Sequence, residues 1–238
     1  MNKVNYGFDA PGFITKAFIF GTVATIAGSV IPSFSSNVIL KVASILLIFF
    51  GVVFLILATS LIVYGIKGKY RVRDLMLSKI NWKGNENVLD IGTGRGLLMN
   101  GAAKFLTTGK SIGIDIWNAS DLSGNTISNA LTNAELEGVK EKVEIKNEDA
   151  RKLGFADNSF EVVLSLLCIH NIEDKAEQEK ACFEIARVLK PNGTALIADY
   201  LPTGDYAKSL AKAGLKVKSS QTYFTTAYSL MWIVEATK

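Results

Sequence analysis

Histidine is nearly absent from this chain, occurring once at position 170, and cysteine occurs only at positions 168 and 182. Three such side chains cannot complete the usual four-ligand shell of a structural zinc site, and two thiols make no disulfide framework. Cys168 closes an apolar run and Cys182 falls in an expected helix, so both are read as reduced packing residues. No internal repeat and no low-complexity linker is present. A phosphate-loop ending is suggested by Gly109-Lys110-Ser111, but the glycine required five positions earlier is Lys104, and the segment reads better as a turn into a strand.

Charge is missing from two long stretches. Residues 17–40 and 42–66 contain no Asp, Glu, Lys or Arg. A 25-residue helix is roughly 37 Å long, enough to cross a hydrocarbon core of about 30 Å. Two membrane helices are therefore expected, about 13–31 and 42–66, with Lys16 snorkelling to the surface and a short loop over Ile31–Asn37 around Pro32. A cleaved signal peptide is the alternative for the first run, but its leading segment is long and nearly neutral. A buried core helix is the alternative for the second, against its length and its lack of a polar face. Residues 1–67 are thus expected as a membrane hairpin and 68–82 as a juxtamembrane helix. That helix either packs on the following domain, the favoured reading, or lies on the bilayer.

Residues 1–73 carry seven Lys or Arg and a single acid, Asp9, so this part is +6 and the rest is −2 in a chain of +4. The basic excess flanks the apolar runs, which by the positive-inside rule puts both termini and the following domain in the cytoplasm and suits an anionic bilayer surface. The remaining residues are slightly acidic and show no basic aromatic face, which disfavours nucleic acid as a partner.

The most specific segment is Val88-Leu89-Asp90-Ile91-Gly92-Thr93-Gly94-Arg95-Gly96. An apolar strand covered on both faces runs into a turn with glycine at every second position. A helix starting near Leu97 points its free N–H groups at the same place. The dinucleotide fingerprint needs Gly or Ala at position 97, so Leu97 disfavours a nicotinamide oxidoreductase. Ser111–Ile116 reads as a second strand ending in Asp115, and Val143–Lys146 as a third, followed by Glu148-Asp149-Ala150.

This ordered set resembles the class I S-adenosylmethionine (SAM)-dependent methyltransferases, in particular the small-molecule, type 11 group. Phe155–Val163 and Arg187–Thr194 resemble that family's entries into its fourth and fifth strands, and the resemblance covers about residues 74–238. It implies SAM as cofactor. Asp90, Gly92, Thr93, Gly94 and Gly96 would face its methionine part and ribose, Asp115 with Ile116 the ribose, and Asp149 with Ala150 the adenine. The base-amine signature Asn/Asp-Pro-Pro-aromatic is replaced here by Ser165–His170, and the several cysteines of arsenite methyltransferases are missing.

His170, just after the fourth strand, is the candidate general base, with a packing or capping role as the alternative. Asn171 either orients a substrate or caps the next helix. Trp117 either covers the adenine or simply packs. The polar run Asn118–Asn125 is long for a connection, and Asp121 and Asn125 either contact acceptor or ribose or serve as caps. Arg95 either reaches the SAM carboxylate or faces solvent. Tyr200 and Tyr206 either line the acceptor pocket or belong to the core.

Strands near 86–91, 111–116, 142–146, 161–167 and 194–200 alternate with helices near 96–106, 123–137 and 174–189. That predicts an α/β, Rossmann-like domain over 83–238. Two further strands, about 215–222 and 229–236, complete the seven-stranded sheet that the resemblance implies, in the order 3-2-1-4-5-7-6. Little chain is left for an acceptor cap, so the membrane or a second copy of the chain is expected to complete the pocket. The function expected is methyl transfer to a small, membrane-soluble acceptor. The alternative is a membrane sensor or scaffold that binds SAM without turnover.

Overall fold

A computed structural model describes residues 3–35, 37–201 and 203–238. Two long helices come first, α1 (Pro11–Val30) and α2 (Val38–Val63). Asn37 caps α2 by accepting from the Ile39 amide at 2.8 Å. Ser36, in the expected connecting loop, lies outside the described residues. Both helices are long and apolar enough to cross a membrane. Their packing inverts the soluble pattern. The buried residues of α1 are Ala17, Gly21, Ala24 and Gly28, those of α2 are Ser44, Gly51 and Ala58, and Phe18, Ile19, Phe49 and Phe50 point outward. A Cβ on Gly28 would stand 2.6 Å from the Ser44 carbonyl, so the backbones meet along a seam of small residues.

The second helix does not stop at its apolar end. It passes through one π turn (Tyr64–Gly68) into α3 (Lys69–Ser78). The Lys69 amide bonds to the Tyr64 carbonyl, five residues back, and keeps the axis continuous.

After α3 come β1 (Asn87–Ile91), α4 (Leu97–Ala103), β2 (Lys110–Asp115), α5 (Ile127–Leu136), β3 (Val143–Asn147), β4 (Phe160–Leu166), α6 (Lys175–Val188) and β5 (Leu189–Asp199). The five strands are parallel, in the order 3-2-1-4-5. Neighbouring residues point to opposite faces. Leu89 and Val163 pack against Ile185 of α6, while Val88 and Val162 pack with Leu98 of α4 and with Val72, Met76 and Leu77 of α3. One face of the sheet is thus covered by the continuation of the second apolar helix.

The sheet has eight strands among the described residues, not the seven expected. After α7 (Gly204–Lys212), the expected strand 215–222 is split into β6 (Lys216–Val217) and β7 (Gln221–Thr222). Both pair antiparallel with β8 (Trp232–Thr237), which lies beside β5. The break falls at Ser219-Ser220, where the Ser220 hydroxyl turns to the hydroxyl of buried Thr203 at 2.5 Å. A short helix, α8 (Phe224–Ala227), then fills the expected tight connection and touches the π turn, where a Cβ on Gly68 would meet the Ala227 carbonyl at 2.0 Å.

Candidate functional site

The strand order reverses direction between β1 and β4, the place where open parallel sheets form a crevice at their carboxyl ends. A cavity of about 780 Å³, its open mouth included, lies there. Ile91, Gly92, Gly94, Asp115, Ile116, Asp149 and Ala150 line it, with Asp121 and Asn125 from the following loop and Cys168 and Asn171 after β4.

The glycine turn is shaped by its backbone. Gly92, Gly94 and Gly96 have φ of +70°, +55° and +86°, values that suit glycine. The amides of Gly92 and Thr93 both donate to the Ile114 carbonyl at 2.9 Å, and the Gly94 amide donates to Asp115 Oδ2 at 2.8 Å. The loop of β1 is therefore sewn to the end of β2. A Cβ on Gly92 would lie 2.4 Å from Cys168, so bare backbone is required there. Gly96 is the N-cap of α4.

Asp115 is the hub of the cavity. Its Oδ1 accepts from the Trp117 amide at 2.7 Å and from Asn125 Nδ2 at 3.2 Å. With Gly94 this fills three of the carboxylate's roughly four acceptor positions and leaves about one for a ligand. Asn125 Oδ1 is buried with no hydrogen-bond partner, a polar atom suited to a hydroxyl donor. Ile116 lines the cavity and is 62% exposed, an apolar side chain available to cover a ligand. Trp117 adopts φ +61° and is not among the lining residues.

Asp90 sits beneath the turn, only 2% exposed. Its Oδ2 accepts from Thr93 Oγ1 at 2.8 Å and the Met99 amide at 2.9 Å. Burial outweighs these bonds and pushes the carboxyl up to about 7. It borders a second, smaller hollow with Thr93, Gly94, Arg95 and Lys69. Asp149 grips the Arg151 guanidinium through contacts of 2.5–3.0 Å, which hold its carboxyl below the usual range. A ligand amine at Asp149 would compete with Arg151.

His170 lies on the turn after β4. Its Nδ1 is 3.0 Å from Oδ1 of Asp199, a fully buried carboxylate at the end of β5 that also accepts from the Tyr206 hydroxyl at 3.2 Å. The Tyr200 ring rests against the imidazole at 4.4 Å. With Nδ1 donating to Asp199, Nε2 is left as the basic nitrogen. His170 and Tyr200 stand beside the cavity rather than in its lining, while Asn171 is in it.

Two participants are missing from the sequence reading. Asp199 could be found only through its contact with His170, 29 positions away. The other is the arm ahead of α1. The Ala10 amide donates to the Asp121 carbonyl at 2.8 Å, and the Ser123 amide donates to the Phe8 carbonyl at 2.9 Å. Asp9 therefore lines the cavity. Its one sequence signal is that it is the sole acid in the first 73 residues.

Residues 89–197 match the family model described as a methyltransferase domain. The chain is 32% identical over 149 residues to phosphoethanolamine N-methyltransferase 3 of Arabidopsis thaliana, covering 60% of this chain and 28% of that one. It is 30% identical over 131 residues to a sterol 4-C-methyltransferase of Caenorhabditis elegans, covering 55% and 36%. The chain thus spans about a third of the length of these relatives. A SAM-dependent methyltransferase from Aquifex aeolicus has the same fold, with a TM-score of 0.56 at 21% identity, covering 71% of this chain and 90% of that one. Residues 89–197 are thus similar to methyltransferase domains, on the fold of a solved SAM-dependent methyltransferase. The residues present fit S-adenosyl-L-methionine: a bare glycine cradle, an unpartnered amide oxygen at Asn125, and carboxylates at Asp115 and Asp149 along one cavity.

Proposed function

We propose that the chain is a two-pass membrane methyltransferase that passes the methyl group of SAM to a small, lipophilic acceptor entering from the bilayer. The observation that carries this reading is the continuity of α2 with α3: the most apolar helix ends inside the core of the cofactor sheet. The small-residue seam between α1 and α2, with large apolar side chains outward, supports a lipid surrounding. The basic residues beside both helices support cytoplasmic termini and a cytoplasmic catalytic domain. The relative named for a sterol supports a lipophilic acceptor.

When bound, the cofactor supplies a methyl group already activated by its sulfonium, so positioning and water exclusion account for most of the catalytic work. The glycine turn, Asp115 and Asn125 orient the donor, Ile116 covers it, and Asp149 and Ala150 flank its adenine. His170, held by Asp199, takes the proton that an acceptor O–H or N–H must release. Asn171, Asp121 and Tyr200 flank the acceptor side. The bilayer surface or a second copy of the chain closes that side.

The test feeds SAM carrying a deuterated methyl group to membranes with and without the protein and extracts the lipids for mass spectrometry. A labelled lipid made only with the protein is expected. SAM binding with no labelled product in lipid or aqueous fractions would favour a sensor or scaffold, and label confined to water-soluble products would overturn the lipophilic acceptor.

A further inference from the structure

We propose that the arm Asn5–Ala10, ahead of the first apolar helix, is the outer wall of the cofactor cavity, and that Asp9 binds the α-ammonium at the aminoacid end of SAM. The hairpin would then be a working part of the binding site as well as an anchor. This inference rests on the cofactor reading above.

Asp9 borders both hollows at the carboxyl ends of the strands. In the larger it faces Gly92, Gly94 and Asp115, and in the smaller it stands with Asp90, Thr93 and Arg95. It therefore sits where the two meet, opposite the glycine turn. Asp115 and Asp149 mark the ribose and adenine end of the larger hollow. The end beside the glycine turn is left for the part of SAM that carries the sulfonium and the α-ammonium. A carboxylate there can pair with the α-ammonium, the positive half of that zwitterionic end.

The arm is built to hold that carboxylate still. The Lys69 ammonium lies 2.8 Å from Asp9 and donates to the carbonyls of Gly7 at 2.8 Å and Tyr6 at 3.1 Å. Lys69 is 2% exposed; it donates two hydrogen bonds to those carbonyls and faces Asp9 as an ion pair. Tied to the arm in this way, it is a positioning residue. Asp9 Oδ2 is buried and accepts no hydrogen bond, so the carboxylate keeps acceptor capacity. The strand-like bridge of Asp9 to Leu122 and the contact of Phe8 with Gly65 in the π turn complete the seat. Asn133 ties the arm to the glycine turn itself, donating to the carbonyls of Asn5 and Arg95, both at 2.9 Å. Lys69 is the first residue of α3, so the segments entering α1 and leaving α2 meet on the cavity.

The experiment is calorimetry on the full chain in detergent micelles with two probes. One is SAM; the other is 5′-methylthioadenosine, which keeps adenine and ribose but lacks the aminoacid end and the sulfonium charge. The variants are Asp9→Asn and the double variant Asp9→Asn with Lys69→Met, in which no buried ammonium is left unpaired. Loss of a hydrogen bond to a charged group predicts SAM binding on the order of ten- to a hundred-fold weaker in both variants. Binding of 5′-methylthioadenosine should stay within about twofold of wild type, as expected for a contact confined to the missing end. Unchanged SAM affinity overturns the proposal. Equal losses for both probes in both variants also overturn it, reducing the arm to a structural strap. A wild-type chain that binds neither probe would instead sink the cofactor reading on which the proposal stands.

Discussion

Asp90→Asn tests whether a neutral carboxyl is kept beneath the glycine turn. Asp90 is 2% exposed, and its two hydrogen bonds do not offset burial, so its carboxyl rises from 3.8 to about 7. The folded chain therefore holds a proton that the unfolded chain releases between about pH 4 and pH 7. The stabilisation is complete below about pH 4 and is lost as pH rises through 7. Three pKa units at 1.36 kcal/mol each set its size at about 4 kcal/mol. Asparagine is neutral at every pH and can still accept from Thr93 and the Met99 amide. The stability of the variant minus that of wild type should climb by about 4 kcal/mol from pH 4 to pH 8. For a chain of this size that is roughly 8–16 °C in relative melting temperature. Thermal unfolding in detergent micelles, followed by near-ultraviolet circular dichroism across that range, reads the difference directly. Parallel melting curves would refute the reasoning and make Asp90 an ionised, hydrogen-bonded anion throughout.

Gly92→Ala brings a Cβ to 2.4 Å from Cys168 at a positive φ and is expected to cost about 1–3 kcal/mol and abolish SAM binding, read by calorimetry. Gly68→Ala drives a Cβ into the Ala227 carbonyl and should loosen the contact between the π turn and α8, seen as faster proteolysis within residues 223–231. His170→Gln and Asp199→Asn are each expected to lower methyl transfer by about 10²–10⁴-fold while leaving the SAM dissociation constant within about twofold. Equal loss of binding and turnover would make the pair structural.

The sheet was legible because its strands are buried on both faces and read as apolar runs. The expected 111–116 and 161–167 lie within a residue of Lys110–Asp115 and Phe160–Leu166. The glycine turn was legible because its hydrogen bonds close within a few residues or onto the next strand end. The split edge strand was not, since Ser219-Ser220 leaves the ladder for a tertiary contact with Thr203. Helix α7 was also passed over: its buried Tyr206 and Leu210 are too few to set a period. The arm was illegible for a different reason. Asp9 and Lys69 meet only because two apolar helices fold back between them, and no local pattern encodes a pair 60 positions apart.

The uninterrupted rod from Val38 to Ser78 is 41 residues, roughly 60 Å at helical rise. In the proposed two-pass placement, a flexible tether would let the attached domain tumble above the lipid. A splint gripped at one end by its helical partner and at the other by Val88, Leu98 and Val162 sets a fixed attitude. Tilting the rod to match a thinner bilayer would swing the crevice with it, so lipid thickness would reset the height and angle at which the cleft meets molecules dissolved in the leaflet.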